Sequence, residues 1–121
     1  AVLNLNNMRD VENDMKKNKI TVASKLKIKK SKFYQLALMT LPFILAAIYV
    51  LNLPGKEGKL APLVFLILIL LANSIRREIY KVKEPKEYDK FLKPVSMMAL
   101  FFAILLGYGL IGFGFIDTLT Q

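Results

Sequence analysis

Glu84, Glu87 and Asp89 are the clustered carboxylates of this chain, and carboxylates held close together can act as general acid and general base. Here they are interleaved with Lys83, Lys86 and Lys90 and have no His or Cys beside them, so they read as a neutralised, solvated charge run. A second pattern, Gly107-Tyr-Gly109-Leu-Ile-Gly112, matches G-x-G-x-x-G. A dinucleotide fingerprint needs a strand before it, a helix opening after it and an acid ~20 residues on. These glycines instead lie deep in an apolar run, so no nucleotide cofactor is expected. Histidine and cysteine are both absent. That removes thiol chemistry, disulfides, Cys/His metal sites and axial histidine for haem. On these grounds the chain is expected to bind no metal or cofactor and not to be an enzyme.

Another use exists for the same glycines. Inside a bilayer, small residues let helix backbones approach closely. Ala99, Ala103 and Gly107 recur every fourth residue, and Gly109 and Gly112 extend the flat surface, so these five positions are the expected helix-packing face. The partner is either another helix of this chain or a neighbouring subunit.

The basic run Lys25, Lys27, Lys29, Lys30 and Lys32 directly precedes an apolar stretch, and Arg76 and Arg77 directly follow another. These seven are the expected contacts to anionic lipid headgroups, where each charge is worth ~1 kcal/mol. The plainer reading is that they only set membrane topology, since the bias of Lys and Arg to one side accounts for them. No stacking aromatics or recognised module accompany them, so no nucleic-acid partner is expected.

What must position these residues is a set of apolar segments. Of the 121 residues, 55% are hydrophobic and mean hydropathy is +0.40, more than a soluble domain of this size can bury. Three runs carry no charge: Phe33–Leu53 with 21 residues, Leu60–Ile75 with 16 and Pro94–Ile116 with 23. A spanning helix takes roughly 20 apolar residues, within about 17–25. The first and third runs meet that length. The middle one reaches it by continuing to Tyr80 with its arginine stems snorkelling to the headgroups. The expected fold is therefore an all-α integral membrane protein with three transmembrane helices, 33–53, 60–80 and 94–116, after a basic extramembrane segment, 1–32. No pattern of a secretory signal precedes the first run.

Punctuation within this frame is also specific. Pro42 should bend the first span about one turn from its start. Pro54-Gly55 should turn the chain into a hairpin, and Pro62 fits a first helical turn. Residues 10–19 suit a short helix, whereas 20–24 look extended. Residues 86–93 suit a short surface helix with Tyr88, Phe91 and Leu92 toward the membrane. Sixteen of the eighteen Lys and Arg lie in residues 1–32 and 76–93. Three spans put those two segments on one face, cytoplasmic or its organellar equivalent, and the C-terminus opposite.

The spans have no ionisable residue in their interiors, which counts against an autonomous pump. The leading expectation for function is a non-catalytic accessory subunit, bound to other membrane-protein subunits through the third helix and to anionic lipid. A homo-oligomeric transporter, channel or hole-forming protein and a membrane-bound regulator or immunity-type protein are the alternatives.

Overall fold

The computed structural model describes residues 1–53 and 61–120, and every regular element among them is helical. Helix α1 (Val2–Arg9) and helix α2 (Val11–Lys16) precede the long α3 (Val22–Leu51). A 3-10 segment, Ala61–Ile67, leads into α4 (Leu68–Lys81), and a 3-10 turn, Pro85–Tyr88, leads into α5 (Asp89–Thr120). The expected Pro54-Gly55 turn lies outside the described residues.

Helix α3 starts much earlier than the first apolar run. Thr21 caps it: the Thr21 hydroxyl accepts from the Ser24 N–H at 3.2 Å, and the Ser24 hydroxyl accepts from the Thr21 N–H at 2.8 Å. This reciprocal cap satisfies donors that the first turn leaves open. It also corrects the expectation that 20–24 is extended, since Val22 already opens the helix. The one non-helical residue inside α3 is Lys27, at φ 60 and ψ 160, so its break in the dihedrals falls there and not at Pro42.

Helix α4 runs antiparallel to α3. Lys32, near the start of the apolar part of α3, donates to the Tyr80 carbonyl at 3.1 Å and the Val82 carbonyl at 2.7 Å. A cation on the last carbonyls of a helix meets both their open acceptors and the negative end of the dipole. The expected second span is thus two pieces. Pro62, which has no N–H to donate, lies near the start of its 3-10 portion, and tight turns of this kind are common where a helix begins.

Two apolar clusters hold the helices together. Phe43 of α3, Phe65 of the 3-10 segment and Phe102 of α5 form a ring triad with centroids 5.0–6.1 Å apart, two of the pairs edge-on. Such pairs add ~0.5–1.5 kcal/mol each beyond area burial. The other cluster joins Leu5 and Met8 of α1 to Met39, Ile75, Ile79, Tyr88, Phe91, Val95 and Met98. Leu5 and Met8 have no exposed surface. Asn4, also buried, donates to the Gln35 side-chain oxygen of α3 at 3.0 Å.

The first 32 residues are therefore no loose extramembrane arm. They build α1, α2 and the first turns of α3, and α1 packs on α3 and α5. This displaces three expected membrane contacts: Tyr88 and Phe91 are only 1% and 6% exposed and face that core, and Leu92 packs against it. The expected surface helix at 86–93 is the 3-10 turn and the first residues of α5.

Val22–Leu51 and Pro85–Gly112 are each long and apolar enough to cross a membrane, and only 22% and 17% of their most apolar windows are buried. The core helix of a soluble protein hides most of such a window. Here Leu41, Ile44, Leu45, Ile48, Leu100, Phe101, Ile104 and Ile111 are all exposed.

The burial of α1 has a measurable consequence. Leu5→Ala and Met8→Ala are each expected to cost about 2–5 kcal/mol in unfolding from mild detergent, the range for large-to-small changes in a packed core. Leu3→Ala, at a position 71% exposed, should stay within about 0.5 kcal/mol. Equal, negligible losses at all three positions would mean that α1 is not packed.

Candidate functional site

Burial of Leu5 and Met8 fixes the rotation of α1 and so the direction of Arg9, the last residue of the helix. The guanidinium is held in a fork. Its Nε donates to Asp10 Oδ1 at 2.8 Å and one Nη to Asp10 Oδ2 at 2.9 Å, and the other Nη donates to Asp89 Oδ1 at 2.7 Å. Bidentate pairing uses the planar geometry that distinguishes Arg from Lys. The Asp89 contact links residues eighty apart in sequence, so the N-terminal helices and the α4–α5 connection meet on one side.

These elements enclose a polar cleft of about 750 Å³. One wall is Arg9, Asp10, Glu12, Asn13 and Lys16, and the other is Glu84, Pro85 and Lys86. Its three cations and three carboxylates balance formally. Arg9 is engaged with Asp10 and Asp89, whereas Lys16 and Lys86 make no ion pair among the described residues. The charges available to an incoming anion are therefore the two lysines, one from each wall. Beside the cleft's residues, Asp14 is buried, with Lys19 at 3.4 Å from one of its oxygens.

Hydrogen bonds from Arg9 hold the Asp10 carboxyl below its ordinary 3.8, the charges of Arg9 and Lys19 act the same way, and burial opposes them. The same bonds to Asp10 and Asp89 push the guanidinium further up.

The carboxylates singled out from sequence are placed by this arrangement. Glu87 accepts from the Lys83 and Glu84 N–H groups, each at 3.2 Å, and so caps the turn before α5. Asp89 is the partner of Arg9, and Glu84 lies on the cleft wall. Among the described residues no group of three His, Cys, Asp or Glu side chains converges.

The expected packing face divides. Gly109 is buried, but Ala99 and Ala103 are exposed, and a methyl added at Gly107 or Gly112 meets nothing within 4 Å. The face of α5 that packs in this chain is Val95, Met98, Phe102, Leu105, Leu106 and Gly109, rotated from the small-residue stripe. Of the expected headgroup contacts, Lys25, Lys27, Lys29, Lys30 and Arg77 are exposed, Arg76 is half-buried, and Lys32 is drawn onto the end of α4.

Arg9, Asp10, Glu12, Lys16 and Lys86 were not singled out as a site. The signal was Leu5, Met8 and Val11 at helical spacing, which marks an amphipathic start whose polar side must face something.

No family model matches the chain, and no solved structure does. It is 30% identical over 111 residues to the 1,4-dihydroxy-2-naphthoate octaprenyltransferase of Haemophilus influenzae, an alignment that takes in 92% of this chain and 35% of that protein. The chain thus spans about a third of that relative's length. The likeness overturns the expectation that the chain is not an enzyme. That expectation rested on missing His and Cys and on uncharged span interiors, which exclude only the chemistries that need them. With its two long, largely uncovered apolar helices, the chain is a membrane protein.

The Arg9–Asp10 pair gives a pH dependence with a definite sign. A carboxyl whose folded pKa lies below its unfolded one contributes stability at higher pH and loses it as pH falls through the folded value. The contribution should be complete above about pH 4 and fade below it. Arg9→Gln should move the Asp10 midpoint up toward 3.8, read from the carboxylate carbon resonance. An unmoved midpoint would mean that the pair does not form.

Proposed function

We propose that this chain forms part of a membrane enzyme that transfers a prenyl group to an aromatic acceptor. The likeness across nearly all of the chain to an octaprenyltransferase carries the reading. Features of the chain support this reading. An octaprenyl group is a long hydrocarbon that partitions into a bilayer at ~0.8 kcal/mol per CH₂. Moving it to an aromatic carbon breaks an allylic C–O bond, with the electron pair leaving on an anionic group such as a diphosphate. The ring then forms the new C–C bond and loses a proton.

Stabilising the departing anion asks for fixed cations, not for His or Cys. Lys16 and Lys86 both line the cleft and make no ion pair among the described residues, while Arg9, locked between Asp10 and Asp89, orders the walls. The carboxylates Glu12 and Glu84 line the cleft and could take up a proton, whereas both oxygens of Asp10 are engaged by Arg9.

We also propose that α4 with its preceding 3-10 segment makes a third crossing and that the cleft lies on the cytoplasmic side. The antiparallel run of α4 between α3 and α5 supports this, as does the meeting of the two Lys/Arg-rich segments through Arg9 and Asp89.

The test uses the full chain in phosphatidylcholine vesicles. Binding of octaprenyl diphosphate, and its transfer to 1,4-dihydroxy-2-naphthoate, are measured for the natural chain, Lys16→Gln and Lys86→Gln. Each substitution is expected to weaken binding about fivefold, the effect of ~1 kcal/mol for one cation. Binding undiminished in both variants, or no binding by the natural chain, would remove the proposal.

A further inference from the structure

Helices α3 and α4 leave an apolar groove of about 240 Å³ between them, distinct from the polar cleft. The contacts of Lys32 with Tyr80 and Val82 set an antiparallel register that brings Leu36 beside Arg76 and Ala47 beside Leu66. From Leu36 to Ala47 is eleven residues, ~17 Å of helix at 1.5 Å each. That is about half of a ~30 Å hydrocarbon core, the depth of one leaflet.

Its polar side chains are Arg76, Asn73 and Thr40, and the Thr40 hydroxyl is taken up in donating to the Leu36 carbonyl at 2.8 Å. Arg76 and Asn73 line the end nearest the Lys/Arg-rich connection, and beyond them, Thr40 apart, the walls are hydrocarbon, including Ile44 and Ile69. Arg76 is half-buried and makes no ion pair among the described residues. Glu78, an acid on the same helix, is held by Lys81 at 2.7 Å. A half-buried guanidinium without a carboxylate partner, at the mouth of a leaflet-deep channel, is complementary to a phosphate carrying a hydrocarbon chain.

We propose that this groove seats one acyl chain of an anionic phospholipid from the surrounding bilayer, with the lipid phosphate on Arg76. The length argues for a phospholipid over a prenyl donor, since eight isoprene units outrun a channel one leaflet deep. The proposal is independent of the prenyl-transfer reading, which concerns the cleft lined by residues of α1, α2 and the connection before α5 and shares no residue with this groove.

The chain contains no tryptophan, so a single introduced indole reports its own lipid contacts. Ile69→Trp stands in the groove, and Leu45→Trp, at a position 56% exposed on α3, faces ordinary lipid. The full-length variants are reconstituted in phosphatidylcholine with increasing brominated phosphatidylglycerol, and fluorescence quenching is measured. Quenching at position 69 is expected at about fivefold lower brominated lipid than at position 45, the preference that one basic residue gives at ~1 kcal/mol. Brominated phosphatidylcholine should quench both alike. Arg76→Gln in the Ile69→Trp chain should erase the preference, and Arg76→Lys should retain most of it. Equal quenching by the anionic lipid at both positions, or a preference that survives Arg76→Gln, overturns the proposal. So does loss of the preference on adding octaprenyl diphosphate, which would give the groove to a prenyl donor. If Arg76→Gln loses its helical circular dichroism, the comparison of positions 69 and 45 alone decides.

Discussion

Leu5 and Met8 lie wholly inside the protein, the first one turn before Arg9 and the second immediately before it, and the polar surface depends on that burial. A helix with two such anchors cannot rotate, so the guanidinium that follows is delivered to Asp89 at the start of α5. Exposed ion pairs are worth little by themselves, ~0–1 kcal/mol. Here the apolar contacts do the holding and the ion pair sets the register. The result is a rigid polar patch joined to helices whose other surfaces are hydrocarbon.

That combination is what a reaction on a membrane-borne chain requires. The long hydrocarbon part of such a substrate is retained by the bilayer without any dedicated protein surface, so the protein's specific work is confined to the polar end. In this chain the polar residues divide accordingly. Some are consumed in structure: Lys32 on the end of α4, Glu87 on the turn before α5, and Thr21 and Ser24 at the start of α3. Others, Lys16 and Lys86 in the cleft and Arg76 in the groove, have no such engagement and are where ligands are proposed to meet the protein.

The ring triad of Phe43, Phe65 and Phe102 performs a different task. It ties one residue from each apolar segment at a single level, with α1 and the cleft at the other end of the bundle. Aliphatic contacts between helices gain little in lipid, because the alternative environment is equally apolar. Oriented ring contacts are one of the few interactions that keep their directionality there.

Composition and the spacing of charges determined by themselves that the chain is helical and apolar over long stretches, because hydrocarbon demands backbone groups satisfied within each segment. They also marked the ends of the bundle where the lysines gather. Three matters were decided only in the folded chain. Thr21 and Ser24 look like any polar pair until a helix opens after them and needs its donors met. The small-residue stripe and the face of Val95, Met98 and Phe102 are both compatible with the sequence, and the rotation of α5 decided that the latter packs within this chain. The cleft is composed of residues from two segments separated in sequence by α3 and α4. Arg9 and Asp89, each an ordinary surface charge in its own neighbourhood, become partners only because α3 and α4 return the chain to the side from which it started.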